Sequence, residues 1–194
     1  APASDAAMST RRLGRSRLKR SATSSKMVSL SHTSHSRSRR PPPTLARIGA
    51  SPAASGAGTA PGWTDTNGFA IEFHNDVRGG LNATDGTNWA DLEANPGQNN
   101  SITQTVAGVT DGQVYVLSFD AADLSNINDG TTLDNQLQVI WNGDVVGTID
   151  ASDGSWTSYE FHLIGGSGDG SNTLSFAGLG DASGIGASLD NVQM

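Results

Sequence analysis

The 194-residue chain has no cysteine, so neither disulfides nor thiol-bound metals can hold it together and its stability has to come from packing. It also has no apolar run approaching the roughly 20 residues that a membrane-spanning helix needs, which removes bilayer insertion by that route. Aromatic residues are missing from residues 1–60, whose strongest apolar cluster is Met27, Val28 and Leu30. Acids are scarce in the same stretch: eleven of the twelve Lys and Arg lie there beside one acid, Asp5. From residue 61 onward the deficit reverses, with no Lys and a single Arg, Arg78, against eighteen Asp and Glu. The two segments therefore carry about +10 and −17 of the overall −7.

These absences divide the chain near Pro61. A segment without rings or apolar periodicity cannot offset the entropy of ordering its backbone, so residues 1–60 are expected to be a disordered basic tail and linker. PPPT (41–44) and ASPAASGAGTAPG (50–62) form the linker portion. The tail's densest part, RRLGRSRLKR (11–20), is not a twin-arginine export signal, because no apolar stretch follows Arg11 and Arg12. Three readings of it stay open: out-of-frame or misjoined translation, so that residues 1–60 are not native sequence; an organelle transit peptide; or a nonspecific nucleic-acid-binding tail that lacks base-stacking aromatics. For the folded part, an excess of acids excludes nucleic acid as a partner. The first residue is Ala1 and the last, Met194, continues an apolar alternation, which reads as a piece of a longer multidomain chain.

Residues 61–194 hold every Trp, Phe and Tyr, and the period is that of strands. FAIEFHN (69–75) sets Phe69, Ile71 and Phe73 on one face, and VYVLSFDA (114–121) sets Tyr115, Leu117, Phe119 and Ala121 together. SYEFHLI (158–164) aligns Tyr159, Phe161 and Leu163, while TLSFAG (173–178) pairs Leu174 with Phe176. Turn signals separate these runs, and Asn142-Gly143 inside QLQVIWNGDVVGTI marks a type I′ hairpin. About eight strands so spaced predict an all-β fold, an antiparallel two-sheet β-sandwich of the jelly-roll kind.

The succession DGTNWADLEAN, SITQTV, GQVYVLSFDAA, VIWNGDVVGTI, SWTSYEFHL and SLDNVQM, across residues 63–194, resembles the galactose-binding-like jelly-roll modules. These carbohydrate-binding-module-like domains accompany secreted bacterial polysaccharide-active enzymes and calcium-rich RTX-type adhesins. The resemblance implies a non-catalytic carbohydrate-binding or adhesion module of an extracellular or cell-surface protein, with a polysaccharide or cell-surface glycan as partner and a structural calcium ion. A ligand-free spacer in a large calcium-dependent adhesin is the alternative. In such modules calcium takes one carboxylate from an opening Asn-Gly-x-Phe-Glu strand and another from the closing strand. Asp190 of LDNV matches the second as a metal ligand, and nothing upstream of Trp63 matches the first, so the module is expected to lack its first strand.

No enzyme is implied by the remaining chemistry. No G-x-S-x-G elbow occurs, and His32, His35, His74 and His162 form no zinc-binding motif. GGSGDGSN (165–172) and DLSNINDG (123–130) miss the spacing of calcium repeats and EF-hand loops and read as polar loops. Asp91 and Glu93 are too close along one strand to flank a glycosidic bond. If Ala90 and Leu92 face the core, then Trp89, Asp91 and Glu93 project together, a ring beside two acceptors as a sugar site requires. Glu72 and His74 would join them from a neighbouring strand.

Overall fold

Strand periodicity builds the molecule. The computed structural model describes residues 42–50, 56–75, 77–93, 98–124, 135–151, 154–166, 168, 171–180, 184 and 186–194. Its strands are β1 (Gly56–Gly58), β2 (Thr64–Asp65), β3 (Ile71–His74), β4 (Trp89–Asp91), β5 (Ser101–Val106), β6 (Val114–Asp123), β7 (Asn135–Trp141), β8 (Asp144–Asp150), β9 (Thr157–Ile164), β10 (Asn172–Gly180) and β11 (Ala187–Gln193). Helical structure among the described residues is one 3-10 turn, Ile48–Ala50.

The strands form a six-stranded sheet, in the order β1-β3-β4-β11-β6-β9, and a five-stranded sheet, β2-β5-β10-β7-β8. All pairings are antiparallel. From β4 onward the chain crosses between sheets at nearly every connection, β7 and β8 being the exception, which is the expected jelly-roll habit. That hairpin turns at Asn142 and Gly143 with φ of 53° and 86°, the paired left-handed conformation of a type I′ turn.

Phe119 sits in the middle of the core. Its ring meets Phe176 of the opposite sheet edge-on at 5.0 Å and stacks on Phe161 and Tyr159 of β9 at 5.9 and 5.8 Å. Ile71, Phe73, Leu117, Leu163, Leu174 and Phe176 are buried there, as the alternation requires. Phe69 lies outside the strand and is half-buried, because Ala70 takes a positive φ of 65° and β3 begins only at Ile71.

Two expectations about the N-terminal boundary need correction. The described residues between 42 and 60 belong to the compact unit of the sandwich. Leu45 and Ile48 enter the core at 9% and 1% exposure, the Ala46 amide donates to Gln104 Oε1 at 2.9 Å, and Trp63 Nε1 donates to the Ala46 carbonyl at 2.9 Å. Gly49 fits because a Cβ there would strike the Asp85 carbonyl. Residues 56–58 supply the strand that was expected to be missing, pairing with β3 through Gly56↔Phe73, Ala57↔Glu72 and Gly58↔Ile71. Low aromatic content misleads here, since two aliphatic anchors and a short glycine strand suffice when a neighbouring sheet edge accepts them. Residues 1–41, with the basic run, lie outside the described residues, as do positions 125–130 of the polar loop.

Candidate functional site

The outer face of the six-stranded sheet gathers the residues singled out from sequence. Register places Glu72 opposite Asp91, His74 opposite Trp89, and Ser188 opposite Asp91 on its other side. Trp89, Asp91, Glu93, Glu72 and His74 therefore do share one face, while Ala90 and Leu92 point into the core.

Around Trp89 this face is covered. Trp89 is 0% exposed, Asp91 1%, Glu93 0% and His74 2%, so the expected open platform for a sugar ring does not exist. Trp89 packs on His74 at 4.4 Å and edge-on to Trp156 at 5.9 Å, within a second apolar cluster formed with Leu81, Ala122 and Leu124. Trp156 is held there by donating Nε1–H to the Asn82 carbonyl at 2.7 Å. Alternation fixed the side from which Trp89 projects but said nothing of the segment 78–88 folding back over it.

The carboxylates are tied to the connection before β11. Asp91 Oδ1 accepts the N–H groups of Glu93 and Gly186 at 2.9 and 3.1 Å, and Glu93 Oε1 accepts that of Gly184 at 2.6 Å. Gly186 is required at that approach, because a Cβ would lie 2.8 Å from Asp91 Oδ1. Burial, then the neighbouring Glu72, pushes the Asp91 carboxyl up to about 8 against those two N–H bonds, so it is mostly protonated at neutral pH. Glu72 is also raised by burial, opposed by Arg78, whose guanidinium lies 3.5 Å away. A protonated, sealed Asp91 cannot reach a substrate.

Asp190 does not fit the role of cation ligand. Its Oδ2 accepts the backbone N–H of Thr84 at 2.6 Å and of Asp85 at 3.0 Å and the Thr84 hydroxyl at 3.2 Å, while Oδ1 accepts the Asn191 N–H at 2.7 Å. Three donors meet Oδ2 and one meets Oδ1, where a cation would have to stand. The carboxylate instead clasps the turn at 84–87, which in turn meets the N-terminal segment through the Arg47–Asp85 ion pair. Among the described residues no three acidic, imidazole or thiol groups converge as a metal site.

The open polar surface lies on the other sheet. Strand register aligns Ser101, Ala177, Gln138 and Thr148 in one row, and Thr64, Thr103, Ser175, Ile140 and Val145 in the next. Ser175 Oγ donates to Thr103 Oγ1 at 2.8 Å. None of these outward side chains is buried, and among the described residues Asp150 is the one charged residue on the face. The signal was present in the sequence as the outward half of SITQTV, QLQVIW and NTLSFAG, but hydroxyl and amide residues at alternate positions are also what any solvated strand shows.

No family model matches the chain. It is 32% identical over 134 residues to the multifunctional-autoprocessing repeats-in-toxin of Vibrio cholerae serotype O1, and equally so to that of Vibrio vulnificus. The match covers 68% of this chain and only 3% and 2% of those toxins. Solved structures similar to it include TmCBM61 in complex with β-1,4-galactotriose, with a TM-score of 0.48 and 16% identity over 67% of this chain and 85% of that one. The CBM22-1 xylan-binding domain of Paenibacillus barcinonensis Xyn10C gives a TM-score of 0.46 and 18% identity over 73% of this chain and 96% of that one.

Proposed function

We propose that this β-sandwich is a non-catalytic carbohydrate-binding or adhesion module of a large secreted or cell-surface protein. Its similarity to a segment of RTX toxins supports the setting. The glycan contact is the outer face of the five-stranded sheet, and the observation that carries this is the pair of cross-strand rows centred on Gln138, Thr148, Ser101, Thr103 and Ser175. Hydroxyls and amides both donate and accept, as sugar hydroxyls do, and strands about 4.8 Å apart repeat such groups at close to the spacing of sugar units. With one charge on the face, the fitting ligand is an extended, uncharged polysaccharide. A flat, solvated face holds few ligand atoms at a time, so single-module dissociation constants of about micromolar to millimolar follow, with avidity from repetition.

The test is retention of the full chain on a panel of immobilised polysaccharides. Gln138→Ala combined with Thr148→Ala is expected to lose retention with the melting temperature unchanged, while Glu72→Gln on the opposite sheet keeps it. Retention unaffected by the double variant would move the contact elsewhere.

A ligand-free spacer is the second reading, favoured by the rings. Of the four Trp, two Tyr and five Phe, six are buried and five half-buried, so no ring stands open to a sugar as an exposed one would. Failure of every polysaccharide to retain the chain would select the spacer.

A further inference from the structure

Open sheets must manage their edges, since an exposed strand presents unpaired N–H and C=O groups to any other chain. Among the described residues, three of the four sheet edges are blunted. β1 and β2 are only three and two residues long, and β8 ends in Asp144 and Asp150 and pairs through a register shift at Val139 and Ile140. β9 is neither short nor bulged; its one acid, Glu160, stands beside His162, and at its C-terminal end the Ile164 carbonyl accepts Trp141 Nε1–H at 2.8 Å. It runs eight residues, TSYEFHLI, without Pro, Lys or bulge, and pairs with β6 in unbroken register from Val114↔Ile164 to Ala121↔Thr157.

We propose that β9 is a self-association edge, pairing antiparallel with β9 of a second copy about Phe161, so that Glu160 of each copy faces His162 of the other. The outward residues argue for this occupant and this register. Glu160 and His162 have side chains 63% and 69% exposed and stand 3.6 Å apart on one strand, so a second copy in antiparallel orientation brings the carboxylate of each opposite the imidazole of the other. Sliding by two residues sets Glu160 against Glu160, a like-charged pair, or leaves Glu160 opposite Ile164 with no polar partner. Sliding by one turns outward residues against inward ones. The chosen register also places Tyr159 opposite Leu163 and Phe161 opposite Phe161, covering the two core rings that the edge leaves only partly buried. Val116 and Ile164, 44% and 61% exposed, flank the contact on the outer face. The interface is isologous, as two-fold dimers require.

The contact is small, so association at about 0.1–1 mM is expected. Sedimentation equilibrium of the full chain checks it with two variants of exposed residues, His162→Glu and Glu160→Lys, whose folding is confirmed by far-UV circular dichroism. Each variant alone should weaken association by about tenfold or more, and a mixture of the two should restore it, because the introduced acid of one then faces the introduced lysine of the other. A chain that stays monomeric up to millimolar concentration overturns the proposal. So does association that both variants leave intact, or amide-exchange protection that grows with concentration on β8 and not on β9.

Discussion

Two buried carboxylates, Asp91 and Asp190, do structural work that charge alone would not suggest. Asp190 satisfies the amides of Thr84 and Asp85, so Asp190→Ala strands both donors and is expected to cost about 2–3 kcal/mol in urea unfolding. The loss should be equal with calcium and with chelator, since hydrogen-bond donors meet both of its oxygens; a loss seen only with calcium present would restore the metal reading. Asp91 sets a pH dependence. Its carboxyl has an ordinary value of 3.8 and about 8 in the fold, so the unfolded chain releases the proton first as pH rises. The stability due to the protonated form is complete below the lower value, falls as pH rises between the two, and is lost once the higher value is passed. Arg78 and Glu72 face this group with opposing effects, and both are kept in Asp91→Asn. That variant should flatten the decline in melting temperature between about pH 5 and pH 8, and an unchanged slope would assign the dependence to another group.

At the scale of elements, the segment around Ile48 matters most. It was expected to be part of a disordered tail, yet Leu45 and Ile48 join the core and Arg47 pairs with Asp85 in the turn that Asp190 holds. Burying Leu45 and Ile48 contributes about 1.5–3 kcal/mol each, so a chain beginning at residue 51 should be less stable than one beginning at residue 42 by roughly 3–6 kcal/mol. Denaturant midpoints of the two chains measure this directly; equal midpoints would return the segment to the tail. The strands themselves were legible because period-two alternation of Leu117, Phe119 and Ala121, or of Leu174 and Phe176, has no other economical reading. β1 was not legible. Gly-Ala-Gly carries no pattern, and only the free edge of β3 makes it a strand.

For the whole molecule, composition and alternation determined the all-β class, the two-sheet sandwich, the Asn142-Gly143 hairpin and the side of β4 from which Trp89, Asp91 and Glu93 project. Each of these follows from forces acting between residues near in sequence, where a strand's two faces or a turn's dihedrals are fixed locally. Tertiary structure alone decided which of those faces meets water. The covering of Trp89 by residues 78–88, the capture of Asp190 by amides 105 and 106 positions away, and the openness of the Gln138 face arise from contacts between distant segments. Burial is a property of what folds over a residue, and that partner leaves no mark in the residue's own neighbourhood of the sequence.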